Sequence, residues 1–113
     1  MSFFDSEVVR AEMVEISELQ EEIYTNVFKF PTMSKEDQLY HVRILEKLLD
    51  KQRVLYTRVS LSDDPEAKEM KKSILEGARK MGLPSEVDMN ALFSNMSDMV
   101  NMMKQHIDKE SAN

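Results

Sequence analysis

The residues of this chain that could do metal chemistry are its carboxylates and its two histidines. Helical bundles that hold a pair of iron or manganese ions use Glu-x-x-His on two helices, because that spacing projects both ligands inward one turn apart. The residue three positions before His41 is Gln38, and the residue three positions before His106 is Met103. The motif is absent at both histidines, so the sequence predicts no metal ligand there.

Groups for covalent catalysis are equally scarce. Chemistry of the Ser–His–acid type needs a histidine that a carboxylate orients, and neither histidine lies in a recognisable nucleophile motif. The only two glycines, Gly77 and Gly82, cannot form a glycine-rich phosphate loop, and there is no cysteine to act as a nucleophile. We therefore expect no enzymatic activity, no catalytic residue and no cofactor.

Methionine is the most unusual component of the sequence. The chain has ten methionines, and five of them lie between Met89 and Met103. Methionine is flexible and polarisable, so it fills irregular gaps in a core and also suits adaptable binding surfaces. Two interpretations stay open: a loosely specified core, or an interface for a partner helix or a second copy of the chain. The candidate interface residues are Met96, Met99, Met102 and Met103.

A soft-metal site is a further alternative for the same segment. Met99, Met102 and His106 share one side of a predicted helix, and thioether and imidazole groups are ligands for soft metals. Methionines at helical spacing are far more typical of a core or an interface, so we treat the metal-binding bundle as the second alternative function.

Helices must position all of these side chains, because apolar residues recur at alternating spacings of three and four. The predicted helices cover residues of about 3–30, 35–59, 65–81 and 86–108, and a polar tail follows at 109–113. The apolar seam of the first segment consists of Val9, Met13, Ile16, Gln20, Ile23, Val27 and Phe30.

Helix start and stop signals agree with these segments. Pro31 predicts the end of the first helix, because the residue before proline disfavours the α region. The signals are Ser2 with Asp5, Ser34 with Asp37, Asp64 with Pro65, Ser85 with Asp88, and the stop at Gly82, Leu83 and Pro84.

The short link after Pro31 predicts that the first two helices form an antiparallel hairpin. Residues 1–30 contain seven acids and two bases, whereas residues 31–60 contain four acids and six bases, so an acidic helix would lie beside a basic one. The predicted fold class is all-α: a long antiparallel hairpin plus two further helices, bundle-like, with an elongated shape as an option.

Gln20 and Gln52 each interrupt an apolar face. In the predicted hairpin Gln20 lies near Leu45 and Gln52 lies near Met13, so the two amides do not meet within one chain. A buried amide without a partner costs about 1–3 kcal/mol. Each glutamine therefore lies at a rim or meets its counterpart in a second subunit, and the second case predicts a homodimer.

Composition and charge exclude several kinds of partner. The chain has 113 residues, enough for one domain, and a net charge of −6 that disfavours binding to nucleic acid. No apolar run approaches the length of a membrane span, and no signal segment is evident. The absence of cysteine is typical of a reducing compartment, so we expect a cytoplasmic protein with no membrane or nucleic-acid partner.

Three stretches resemble a known family: MSFFDSEVV, LEKLLDKQRVLYTRVSLSDD and KMGLPSEVDMNALFSNM. They are similar to short cyanobacterial proteins of unassigned function, with relatives in phages that infect those bacteria. The link between the first two segments departs from the family and is shorter here. The resemblance implies a cytoplasmic host setting and a phage gene as an option. It implies no activity and no catalytic residue.

The stretch FFDSE raises the question of what Phe3 and Phe4 do. One interpretation is an apolar plug that covers one end of the bundle, and the other is an exposed anchor for a partner. Two fully covered aromatic rings would contribute about 3–6 kcal/mol through burial. Both interpretations stay open, and the candidate partner-binding residues include both rings.

The function expected from these features is a small non-enzymatic protein-binding module that acts through apolar helix faces. In a phage setting it would modulate a host protein. The first alternative is a structural or assembly component of a virion.

Overall fold

A computed structural model of the chain describes residues 3–80, 82 and 88–111, apart from the side chains of residues 110 and 111. Within these residues it contains four α-helices and no strand, which confirms the predicted all-α class. The α-helices are α1 (Glu7–Asn26), α2 (Lys35–Leu61), α3 (Pro65–Lys80) and α4 (Met89–Ser111). Short 3-10 helices cover Phe3–Asp5 and Val27–Thr32.

The first α-helix begins later than the sequence predicts. Ser6 is the N-cap, and its hydroxyl accepts a hydrogen bond from the backbone N–H of Val9 at 3.4 Å. The preceding residues Phe3–Asp5 form a separate 3-10 turn, and Ser2 lies outside the described residues. Ser6 lies four positions after Ser2, so the predicted start signal was about one helical turn too early.

The second and third helices begin where the sequence places them. The Ser34 hydroxyl accepts from the N–H of Asp37 at 3.2 Å, as expected for a serine N-cap. Asp64 Oδ1 accepts from the N–H of Glu66 at 2.8 Å, and Pro65 occupies the first helical position. Both caps satisfy N–H groups that have no partner within the helix.

Asp88 caps the fourth helix. Asp88 Oδ1 accepts from the N–H of Asn90 at 3.0 Å, and the helix begins at Met89. Ser85 lies outside the described residues. At the other end α4 continues to Ser111, so it includes residues that the sequence assigns to a polar tail.

The helices end close to the positions that proline and glycine predict, with differences of a few residues. After α1 the chain tightens into the 3-10 helix Val27–Thr32, which contains Pro31, so the α-helix stops before Phe30. α2 extends to Leu61. After α3, Gly82 has φ of 92° and its N–H donates to the carbonyl of Arg79 at 3.0 Å, as expected for a glycine stop. Leu83 and Pro84, the rest of that signal, lie outside the described residues.

The hairpin of α1 and α2 is antiparallel, as predicted, and ion pairs join the two helices. Glu15 lies 2.9 Å from Lys51 Nζ and 3.4 Å from Lys47 Nζ, and Glu12 lies 3.4 Å from Arg58 Nε. The hydrogen bond from Lys51 lowers the pKa of Glu15, and the same contact raises the pKa of Lys51. The acidic helix therefore meets the basic one through named pairs.

α2 is the central helix, because α1, α3 and α4 all pack against it. Leu48, Leu55 and Val59 of α2 pack with α1 and Ala67 of α3 in a first core cluster. Val42 and Leu49 pack with α4 in a second core cluster. The second cluster also contains Met89, Phe93, Val100 and Ile107 of α4.

The buried seam of α1 differs from the predicted one at every second position. Val9, Ile16 and Ile23 are buried as expected. Between them the helix buries Leu19 instead of Gln20, while Met13 and Val27 remain exposed. The side chain of Glu12 turns inward toward Arg58. The sequence pattern assigned Met13 to the seam because it is apolar, whereas the ion pair allows a glutamate to face the core.

The molecule is longer than a sphere of its size. Its radius of gyration is 16.3 Å and its extents are 54 × 32 × 20 Å, against a radius of gyration of about 13 Å for a compact domain of this length. One central helix flanked on different sides leaves more surface open than a closed four-helix bundle. One of these open surfaces is an apolar groove between α2 and α4.

Candidate protein-binding site

An apolar groove runs between α2 and α4. We call it the methionine groove, and its volume is about 160 Å³. Gln52 supplies the polar side chain of its lining. The lining residues are Leu45, Leu48, Leu49, Gln52, Met96, Met99, Val100 and Met103. Leu48 also belongs to the first core cluster and Leu49 to the second, so the floor of the groove lies where the two clusters meet on α2.

The α4 wall of the groove carries almost no charge. Between Met89 and Met103 the only charged residue is Asp98, although 32% of the whole chain is charged. Met99 is 63% exposed, and the neighbouring Met102 is 66% exposed. Thioether side chains are flexible and can adapt to an incoming apolar surface. This wall therefore has the chemistry of an adaptable docking surface.

The structure brings together four of the eight predicted partner-binding residues. Gln52, Met96, Met99 and Met103 all line the methionine groove. Met102 lies one turn after Met99 on α4, close to that wall and more exposed than Met96. Met103 is half-buried because it also packs against the second core cluster. The segment therefore serves as core on one side and as surface on the other.

Phe3 and Phe4 lie elsewhere, against the first core cluster. Both rings are half-buried and meet edge to face, with centroids 5.2 Å apart. The N–H of Phe3 donates to Asp64 Oδ2 at 2.7 Å, which ties the 3-10 turn to the start of α3. This placement supports the plug interpretation and leaves little of either ring for an anchor.

Gln20 does not meet Gln52. It is half-buried on α1 and lines a shallow depression with Ser17, Glu21, Tyr24 and Thr25. Gln52 lies in the methionine groove instead, between α2 and α4. The two amides are therefore on separate surfaces, consistent with the hairpin register that the sequence predicts.

A charged cleft is also lined by residues of α2 and α4. Its volume is about 440 Å³. Its lining residues are Arg43, Glu46, Lys47, Leu49, Asp50, Arg53, Ser97 and Asn101. All five of its ionisable groups are exposed and alternate in sign along α2, and Glu46 forms an ion pair with Lys104 of α4. Such an arrangement is typical of a solvated helix face.

A smaller polar cavity of about 210 Å³ lies at the turn of the hairpin and includes the buried His41. The His41 ring lies 5.4 Å from the ring of Phe30. Beside it, a hydrogen bond to Glu22 raises the pKa of Tyr40. Within the described residues no group of three histidine or carboxylate side chains could hold a metal ion. Nor is any helix of that part long and apolar enough to cross a lipid bilayer.

A family model described as Domain of unknown function (DUF1825) matches residues 1–107. The chain belongs to this family. The resemblance to a family of unassigned function is confirmed, whereas the cyanobacterial and phage setting stays a prediction. The match to DUF1825 covers α1, α2, α3, the part of α4 up to residue 107 and every lining residue of the methionine groove, but it assigns no activity to them. No curated protein and no solved structure matches the chain.

Sequence reasoning missed part of the groove and one exposed aromatic. Leu45, Leu48 and Leu49 lie on the apolar face of α2 that Gln52 interrupts, but their role as the floor of a groove depends on the position of α4. Phe28 is 91% exposed and was not singled out. The sequence signal that could have identified Phe28 is its position directly after Val27, a member of the predicted apolar seam.

Proposed function

We propose that this protein of the DUF1825 family is a small non-enzymatic protein-binding module, and that it holds an apolar helical segment of a protein partner in the methionine groove. The observation that carries the proposal is the α4 wall, where Asp98 is the only charged residue between Met89 and Met103 and where Met99 and the neighbouring Met102 are largely exposed. A surface of this kind gains free energy when another apolar surface covers it, at about 25 cal/mol per Å² of apolar area.

The geometry of the groove suits a helix. The groove is lined by residues 45–52 of α2 and 96–103 of α4, about two turns of each helix, so it matches about two turns of an occupant helix. An amphipathic helix laid into such a groove would present side chains three and four positions apart. Gln52 would supply a hydrogen-bonding group at the floor, which orients an occupant without adding charge.

The cellular setting is part of the same proposal. The family resemblance and the absence of cysteine support a cytoplasmic protein of a cyanobacterium or of a phage that infects one. In the phage case the partner would be a host protein whose activity the module changes by docking.

The test is affinity capture from a host lysate with three versions of the chain. The M99E/M102E double variant places two charges on the α4 wall and should lose the partner that the native chain retains. V14E is the matched control, because Val14 is 58% exposed on α1, close to the exposure of Met99. Equal recovery of the same proteins by all three versions would contradict a role for the methionine groove.

A further inference from the structure

α4 carries a second apolar seam in addition to the one that it buries. The buried seam is Met89, Phe93, Val100 and Ile107, with the half-buried Met103 packed against the same core cluster. A parallel row at spacings of three and four consists of Leu92, Asn95, Met99, Met102 and His106, and Met99 of this row lines the methionine groove. Repeats of this kind are typical of helices that pair with another helix. Met99 is the midpoint of the row.

The charge distribution indicates which surface a second copy can approach. The α1 helix, Glu7–Asn26, holds six acids and one base, a balance of −5, so two copies that met through α1 would bring like charges together. The α4 segment between Met89 and Met103 holds one charged residue. Among these two helices, α4 is the one that can face its own copy without strong repulsion.

The groove also has room for side chains of another molecule. Its volume of about 160 Å³ is close to that of the cavity, about 150 Å³, that admits an apolar molecule the size of benzene. An exposed methionine of a second copy is flexible enough to enter such a space. Asn95 gives the exposed seam a polar member before Met99 and His106 gives it one at its end, and a polar residue in such a seam can set the register of paired helices.

We infer that the occupant of the methionine groove is a second copy of this chain, packed α4 against α4 with Met99 at the centre of a two-fold interface. This inference rests on the proposed function, because it names the partner of the same groove. A basic amphipathic helix from another protein would instead be attracted to the acidic α1. A methionine groove that binds another protein and not a second copy is the alternative outcome of the test.

The first experiment is sedimentation velocity of the native chain from low to high micromolar concentration. The native chain should form a reversible dimer. M99E/M102E should weaken it by at least about a hundredfold, because four carboxylates would meet in one interface. V14E should dimerise as the native chain does. A native chain that stays monomeric throughout overturns the second copy as occupant, and a V14E chain that is monomeric overturns the α4 interface.

The second experiment does not depend on the stability of the charged variants. The native chain has no cysteine, so a disulfide in a single-cysteine variant reports only the engineered position. Under mild oxidation M99C should become a covalent dimer much faster than V14C, because Met99 meets its own copy at the two-fold axis. Equal rates for the two variants would overturn the inference.

The proposed function and the inference of a second copy can be refuted independently. If the native chain is monomeric but M99E/M102E still loses a captured host protein that V14E retains, the groove binds a different partner and only the second copy is wrong. If the native chain dimerises through Met99 and the capture pattern does not change, the dimer stands without the host partner.

Discussion

Replacing Asp64 with alanine is expected to destabilise the fold at two places at once. Asp64 Oδ1 caps α3 by accepting from the N–H of Glu66 at 2.8 Å. Asp64 Oδ2 accepts from the N–H of Phe3 at 2.7 Å, across 61 residues of sequence. One carboxylate therefore joins the 3-10 turn that carries the two aromatic rings to the start of the third helix.

The size of the effect follows from the two bonds. Loss of an aspartate N-cap costs about 1 kcal/mol, and loss of a hydrogen bond to a charged group costs about 1.5–3 kcal/mol when it is buried. The bond to Phe3 is partly buried, so we expect D64A to lower the free energy of unfolding by about 2–3 kcal/mol. With an m value of about 1–2 kcal/mol/M in urea, the midpoint should fall by at least about 1 M.

The assay is urea unfolding followed by far-ultraviolet circular dichroism at one fixed protein concentration, because self-association would make stability depend on concentration. D63A is the matched control: it removes the same charge one position earlier, where the side chain is exposed. D64N should fall between the native chain and D64A, since an amide has one acceptor oxygen. Equal midpoints for D63A and D64A would refute the two-bond reasoning.

Three further changes test other parts of the fold. The F3A/F4A double variant should lower the free energy of unfolding by about 3 kcal/mol, because both half-buried rings pack against the first core cluster. G77A should stabilise α3 by about 0.5–1 kcal/mol, since an added Cβ meets nothing within 4 Å, whereas G82A should destabilise by about 1 kcal/mol at φ of 92°. E15Q should flatten the loss of stability in acid: Lys51 holds the pKa of Glu15 below 4.5, so the native pair stabilises above that pH and is lost as pH falls through the lower value.

Each of the three changes has a control and an outcome that would contradict its prediction. Urea unfolding with unchanged stability in F3A/F4A would favour an exposed anchor over the plug. The two glycine variants control for each other, and shifts of the same sign would show that the backbone argument is wrong. For the acid titration, E18Q removes an exposed carboxylate of α1, and an acid limb as flat as that of E15Q would remove the special role of the ion pair.

The sequence predicted the helices better than it predicted their faces. Start signals such as Ser34 and Asp64 are local, and both operate as expected. The α1 seam is a tertiary property: Glu12 turns inward only because Arg58 of another helix is there to receive it. The spacing of residues along one helix contains no information about a partner on another helix. The sequence pattern therefore assigned Met13 to the seam because it is apolar.

The candidate site was predictable in part for the same reason. The methionines of α4 and Gln52 were recognised from composition and from an interrupted apolar face. Their convergence in one groove depends on how α4 crosses α2, which no local pattern specifies. The antiparallel direction of α1 and α2 was predictable, because a short link between two helices brings the second helix back along the first.

The most direct test of the central claim, that the α4 wall is covered when the protein is at work, is oxidative footprinting of the methionines. The native chain would be oxidised briefly in a lysate of cells that produce it and, separately, as a dilute purified protein. Peptide mass spectrometry then gives the oxidation rate of each methionine. The account predicts that Met99 and Met102 are protected in the lysate while Met13, exposed on α1, is oxidised at its dilute rate. Equal rates at Met99 and Met102 in both samples would contradict it.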